Sequence, residues 1–405
     1  MRAAARPDDD AVVAASARTP FGRFGERFAA LRLSTLGAVP VTAVLERLGV
    51  EPAQVDELVF GVNFPGAERS VARQVALDAG VPDDRAAYTI DRACCSALTS
   101  VGLVARSVRL GVTTIGVAGG VENLSGVPHV LPGARFGTRL GPPPIVDPLV
   151  VTCPYTGVPR AVQAGVEALE FGVERAEQDD WAVRSHALYW EADARGAVQA
   201  GSAVVDVDDR AGRRCLLEVD ECARRDVDVA ALAALPTVYG SPTVTAGNAP
   251  NLATGATAVV VMRRALARDL GRLALARVVA SVQTAGEPPR IASVPARAAA
   301  LALELSGLSL EDVHVIEINE AFAAVPLVTT SVLAGGDRQR AATLRERTNR
   351  WGGAIALGHP TGATGARLLM SAIAQLEERG GGLGLVTICG GIGEAEAMIV
   401  EVAEA

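Results

Sequence analysis

Short blocks of consecutive apolar residues alternate along this chain with longer stretches whose apolar positions recur every three to four residues. The first block, residues 11–15, reads as a strand. Residues 16–25 set Pro20, Gly22 and Gly25 among polar positions, the make-up of a turn-rich loop. Residues 33–48 have helical periodicity, 58–62 form a buried-strand pattern, and 70–79 form another helix. The apolar run from Ala86 to Ile90 leads into a helical pattern that reaches about residue 110. Residues 114–118 read as a strand ending on Gly119-Gly120. Alternation of this kind predicts a mostly parallel sheet covered by helices.

Between 121 and 242 the pattern changes. Pro and Gly cluster at 126–159, a charged helical stretch covers 174–195, and an acidic and Arg-rich stretch covers 205–225. This is the pattern of an insertion, which either covers a ligand entrance or decorates the surface as solvated loops. The earlier pattern then returns. Residues 313–318 and 383–388 read as strands, and Ala366, Leu369, Met370, Ile373 and Leu376 recur at helical spacing after Gly358-His359-Pro360. Each half therefore carries one reactive residue at a strand-to-helix turn, Cys94 and His359. Each also carries a strand followed by two glycines, at 119–120 and 390–391. The chain is expected to be α/β, a duplicated core with a pocket where the halves meet. Residues 1–120 with 243–270 would form the first half, 121–242 the insertion, and 271–405 the second half.

Composition narrows the chemistry. A chain of 405 residues with 49% hydrophobic and 21% charged positions can bury a large core, as two or three domains or one repeated one. Aromatics are only 4%, beside 42 glycines and 22 prolines, which fits an Ala/Val/Gly-packed α/β enzyme. The net charge of −8 provides no basic footprint for nucleic acid. All 38 cationic side chains are arginine, and the absence of lysine excludes Schiff-base, pyridoxal-phosphate and P-loop chemistry. Residues 1–10 lack an apolar signal core, and no apolar run approaches the ~18 residues of a membrane span. A reduced, cytoplasmic location is expected. The six cysteines and four histidines show no C-x-x-C or H-x-x-x-H spacing, so no metal site is expected.

Four stretches carry chemical potential. In Asp91-Arg92-Ala93-Cys94-Cys95-Ser96-Ala97-Leu98, a cysteine stands where a strand turns into a helix. Free N–H groups and the helix dipole there favour a thiolate, although a pair of small buried side chains is the other reading. Glu317-Ile318-Asn319-Glu320-Ala321-Phe322 ends a strand with polar groups, Gly358-His359-Pro360 opens a helix, and Cys389-Gly390-Gly391 follows another strand. Taken singly, each is a weak signal.

In this order they resemble the thiolase family. The resemblance also covers Arg18-Thr19-Pro20-Phe21-Gly22, Gly119-Gly120-Val121-Glu122 through Ser125, Gln178-Asp179 with Ser185, and Thr245 to Ala249, and it extends from about residue 11 to 402. It implies a layered αβαβα core with an inserted loop domain. It also implies Claisen condensation of an acyl-CoA with acetyl-CoA, or the reverse thiolysis of a 3-ketoacyl-CoA. Cys94 would be the acylated nucleophile, and His359 would take its proton and then donate to the thioester oxygen. Asn319 would hold a water in that oxyanion site, and Cys389 would serve as acid and base at the α-carbon. The backbone N–H groups of Cys94 and Gly391 would form a second oxyanion site. A cysteine suits the α-proton because its reference pKa of about 8.5 needs little tuning.

Substrate contacts are expected from Arg224, Ala249, Ala321 and Phe322. Coenzyme A thioesters would be substrates, with no permanently bound cofactor, no nucleic acid and no membrane. A homodimer or homotetramer is expected from the family. Glu320 would support the shape of the site, Cys95 would pack, and His129, His186 and His314 would be structural or superficial.

Departures from the family pattern fall on the ligand side. Asp91 replaces the usual Asn, Ala97 and Ala395 replace glycines, Pro250 stands where a serine is typical, and Gln163-Ala164-Gly165 is taken as the counterpart of a His-Met-Gly. Two other readings share the fold: a ketosynthase-like enzyme using a carrier-protein substrate, which would lack Cys389, and a non-catalytic acyl-CoA or lipid carrier.

Overall fold

The computed structural model of the chain describes residues 8, 10–137, 140–199, 201–209, 211–272 and 274–404. Its strands in chain order are β1 (Ala11–Arg18), β2 (Gly22–Arg23), β3 (Glu57–Gly61), β4 (Ala86–Ile90), β5 (Ile115–Asn123) and β6 (Val205–Asp208). They continue as β7 (Arg214–Leu217), β8 (Ala253–Arg263), β9 (Ala276–Ala285), β10 (Val313–Ile318), β11 (Gly382–Cys389) and β12 (Glu394–Val402). β6 and β7 pair as a hairpin of the insertion, and β2 lies against β8.

The other strands follow one plan twice. The first half runs β4-β3-β5-β8-β1 and the second β10-β11-β12-β9. The halves meet where β1 pairs with β9 through Val12 with Arg277 and Val13 with Ala276. Outside β10, Thr348 pairs in parallel with Ile316, the place that β4 takes in the first half. The duplication expected from the motifs is therefore a repeat of strand order.

The expectation of a mostly parallel sheet is corrected. Only β3/β4, β3/β5 and β10/β11 are parallel among the described strands. β8 runs antiparallel to β1 and β5, and β12 antiparallel to β9 and β11. The cause is local for β12, since the short loop from Cys389 to Glu394 can only reverse the chain beside β11.

Helices Leu33–Leu48 and Val71–Asp78 cover the outer face of the first half-sheet, and Val294–Ser306 covers that of the second, with Ala324–Leu333 packed against it. Helices Ser96–Arg109 and Thr361–Arg379 lie between the half-sheets and touch both. Leu98, Val101, Val104, Leu368, Leu369 and Ile373 build this middle layer with Val259, Val386 and Ile388 from the sheets. The two buried helices approach closely because glycine allows it. A Cβ on Gly365 would stand 2.6 Å from the Leu98 nitrogen.

The same packing revises the reading of Gly119-Gly120 as a strand end. β5 continues through both glycines to Asn123. A Cβ on Gly120 would lie 1.9 Å from the Gly362 carbonyl oxygen, so the residue is needed for contact with the helix that follows His359. β1 likewise runs past Ala15 to Arg18, into the segment read as loop. Arg18 is buried there in an ion pair with Asp220 at 2.7 Å, and the Phe21 N–H donates to the same carboxylate at 2.8 Å. These contacts fasten the insertion to the core.

Candidate active site

The turn after β4 is held by its own polar groups. Ala93 has a φ of +49°, a left-handed conformation uncommon for a residue with a Cβ. Asp91 Oδ1 accepts the Ala93 N–H at 2.9 Å, an interaction that an Asn carbonyl oxygen would equally provide. Ser96 Oγ accepts the Arg92 N–H at 2.8 Å and donates to the Ala93 carbonyl at 2.6 Å. The Arg92 guanidinium is held in turn by the buried Glu396 at 2.8 Å. This elbow leaves Cys94 partly exposed and sends Cys95 wholly into the core, its Sγ 3.6 Å from the Ile388 carbonyl.

His359 meets Cys94 from the other half, Nε2 standing 3.1 Å from Sγ. Its other nitrogen, Nδ1, lies 2.8 Å from Thr364 Oγ1, and that hydroxyl gives its single hydrogen to the Pro360 carbonyl at 3.0 Å. In that arrangement the hydroxyl accepts from the ring. Nδ1 carries the proton, and the Nε2 lone pair faces the thiol. Burial, with Arg367 nearby, lowers the His359 pKa to about 3, so the imidazole is neutral.

Burial, and then the proximity of Cys389 and Glu122, hold the Cys94 thiol well above its ordinary value. The thiolate expected from the helix terminus is thus corrected: at rest the pair is thiol and neutral imidazole. The two desolvation penalties outweigh a dipole effect of about 0.3–1 kcal/mol.

Cys389, at the end of β11, is 3% exposed, and burial pushes its thiol up to about 12. The reading that it needs little tuning is corrected for the same physical reason. The loop beyond it abuts the elbow, because a Cβ on Gly391 would come 3.2 Å from the Ala93 Cβ. Asn319 Nδ2 lies 3.4 Å from His359 Nε2, while its Oδ1 is buried without a hydrogen-bond partner among the described residues. Cys94, His359, Cys389, Asn319 and Gly391 are thereby gathered where the two central helices begin and β11 ends.

Supporting groups surround them. Glu320 accepts from Trp181 Nε1 (2.9 Å), Asn349 Nδ2 (3.1 Å), Ser185 Oγ (2.8 Å) and the Ile355 N–H (3.0 Å), so its carboxylate is fully occupied. Glu122 accepts from the Asn63, Phe64 and Gly362 N–H groups and from Thr361 Oγ1 at 2.7–3.0 Å, tying the loop after β3 to the start of the His359 helix. Sequence reasoning quoted Glu122 inside a motif without giving it a role and passed over Thr364, whose only signal is a place one turn into the His359 helix.

The expected substrate contacts divide. The Ala323 N–H donates to the Asn248 carbonyl at 2.9 Å, and the His359 N–H to the Asn251 carbonyl at 3.0 Å. Partly buried Ala249, Ala321 and Phe322 belong to the segments that these bonds join. Arg224 stays exposed; its backbone N–H donates to His186 Nδ1 at 3.1 Å, and its side chain makes no hydrogen bond among the described residues. His314 Nδ1 accepts from the Leu383 N–H at 3.1 Å, and His129 lies on the surface. Among the described residues no cluster of three or more His, Cys, Asp or Glu side chains could hold a metal ion, and no helix is long and apolar enough to cross a membrane.

A thiol whose proton can pass to a neutral imidazole is chemically equipped to attack an activated carbonyl, the chemistry of an acyltransferase. Residues 11–265 match the N-terminal domain of thiolase, and residues 272–402 match its C-terminal domain. The chain belongs to the thiolase family. It is 37% identical to an acetyl-CoA acetyltransferase of Cupriavidus necator over 398 residues, 97% of this chain and 99% of that one. It is also 37% identical to a beta-ketoadipyl-CoA thiolase of Pseudomonas knackmussii, over 95% of this chain and 97% of the other. The crystal structure of the Bacillus anthracis acetyl-CoA acetyltransferase superposes with a TM-score of 0.91 at 34% identity, covering 97% of this chain and 99% of that one.

Proposed function

We propose that this thiolase joins an acyl-CoA to acetyl-CoA by Claisen condensation, and runs the reverse thiolysis of a 3-ketoacyl-CoA, through an acyl-enzyme on Cys94. The observation that carries the reading is the 3.1 Å contact of Cys94 Sγ with an imidazole whose tautomer Thr364 sets. Sγ attacks the thioester carbonyl as its proton passes to His359 Nε2. The departing CoA thiolate takes a proton from Cys389, which then removes the α-proton of acetyl-CoA. The resulting enolate carbon attacks the acyl-Cys94 carbonyl, and the released Cys94 thiolate recovers its proton from His359. Asn319, through a water, and the Gly391 N–H would stabilise the oxyanions.

The placement of Cys389 beside Cys94 favours this reading over a ketosynthase-like enzyme, which has no use for a second thiol. A proton acceptor aimed at Cys94 favours it over a non-catalytic carrier. Coenzyme A thioesters are the substrates and no resident cofactor is called for; Arg224, Ala249, Ala321 and Phe322 remain the proposed contacts, in a cytoplasmic protein. A homo-oligomer is proposed in support of β4, a half-exposed strand at the sheet edge, and of the exposed Phe136, Ile145 and Tyr155 in the insertion.

Thiolysis of acetoacetyl-CoA, followed by loss of enolate absorbance and by intact mass, tests the proposal. Wild type should turn over and carry an adduct. Cys94→Ala should lose both, and Cys389→Ala should still be acylated by acetyl-CoA but not condense. Absence of both adduct and turnover with short, long and branched 3-ketoacyl-CoAs would overturn it.

A further inference from the structure

Three arginines among the described residues are buried: Arg18, Arg160 and Arg367. Two have carboxylate partners, Asp220 at 2.7 Å and Glu317 at 3.2 Å. Arg160 has none within ion-pair distance among the described residues. It is 8% exposed and opens the helix Arg160–Glu170 of the insertion. Its Nη1 donates to Gln163 Oε1 at 2.7 Å and to the Pro288 carbonyl at 3.2 Å, both neutral acceptors. Nε is buried without a partner, and Nη2 makes no hydrogen bond among the described residues. The carboxylate of Glu167 on the same helix is occupied by the N–H groups of Ile291, Ala292 and Ser293 at 2.7–3.0 Å.

A buried guanidinium with only neutral partners is costly unless an anion completes it. The position says where that anion would come from. The charge of Arg160 acts on both thiols, lowering the pKa of Cys94 and of Cys389 against the effect of burial. The helix it opens packs through Ala161 and Ala164 in the same buried cluster as Cys389, which sets the guanidinium toward the reacting end of the site, and Gln163 Nε2 donates to Thr156 Oγ1 beside it at 3.1 Å. A neutral chain would bury the cation further and leave Nε and Nη2 empty. A chain ending in a carboxylate would supply charge-assisted hydrogen bonds in the forked geometry that a guanidinium matches.

Resting on the thiolase reading, we propose that Arg160 binds a carboxylate at the far end of the acyl group, making the enzyme selective for dicarboxylyl thioesters over neutral acyl chains of similar length. The residue acts in specificity, and its effect is read as a ratio, which cancels any general influence on the thiols.

The test is the rate of Cys94 acylation, by rapid quench and intact mass, with succinyl- and glutaryl-CoA against pentanoyl- and hexanoyl-CoA. Wild type is expected to favour the carboxylate-bearing chain by about 10- to 100-fold, the range for hydrogen bonds to a charged group. Arg160→Met should abolish or invert the ratio, and Arg160→Lys should restore part of it. Equal or faster acylation by the neutral chains in wild type, or a preference that survives Arg160→Met, would overturn the proposal. So would adducts from acetyl-CoA alone, which leave the thiolase reading intact. No adduct from any thioester would remove both. The wild-type ratio decides the matter even if a variant fails to fold.

Discussion

Thr364→Val tests the assignment of the histidine tautomer. Valine keeps the volume and removes the acceptor that lies 2.8 Å from His359 Nδ1. The Pro360 carbonyl is not orphaned, because the Thr364 backbone N–H already donates to it at 3.0 Å. The loss therefore falls on a single buried ring N–H. An unmet buried donor costs about 1–3 kcal/mol. The cost should grow in the transition state, where the ring becomes a cation and Nδ1–H a stronger donor. Only the increment on charging the ring, about 1–1.5 kcal/mol, slows the step, so the acylation rate is expected to fall by about 5- to 13-fold. Single-turnover acylation by saturating acetyl-CoA measures it, with the KM and the thermal midpoint as controls. Thr364→Ser, which keeps the hydroxyl, should recover most of the rate while KM stays unchanged. An acylation rate for Thr364→Val within twofold of wild type, in a folded protein, would refute the argument that Thr364 positions the base.

Since both thiols are raised and His359 is neutral, alkylation of Cys94 by iodoacetamide should rise about tenfold per pH unit from 7 to 9; a plateau below pH 8 would mean a resting thiolate. Gly365→Ala, whose new methyl would meet the Leu98 backbone at 2.6 Å, should lower stability in urea by about 1–3 kcal/mol. Little change in the unfolding midpoint would show that the central helices can separate at little cost. Glu320→Gln turns an amide toward donors that now meet a carboxylate, and should cost about 1–3 kcal/mol with loss of activity in parallel. Retained stability with lost activity would instead give Glu320 a direct part in the chemistry.

Much of the fold was legible because its signals are local. The helix predicted for 33–48 and the strand for 313–318 occur with those bounds, since apolar spacing and flanking turns suffice to define them. Strand direction was not legible. Whether β8 and β12 run with or against their neighbours depends on connections that periodicity does not encode. Gly119-Gly120 reads in the sequence as a strand end because glycine usually marks one, whereas here Gly120 makes room for another helix.

The site divides along the same line. By themselves the residues and their order pointed to Cys94, His359 and Cys389 as the proposed reacting groups, because four short motifs in one order resemble the thiolase pattern although each alone is a weak signal. Only the tertiary structure decided their protonation. The pKa of a thiol or imidazole depends on the water removed from it and the charges brought near it, and here burial overrides what a helix terminus or a reference pKa implied. The same reason hid Thr364 and Arg160. One is an ordinary helical threonine until a ring nitrogen lies 2.8 Å away, and the other is one arginine among 38 until folding buries it with no carboxylate partner among the described residues.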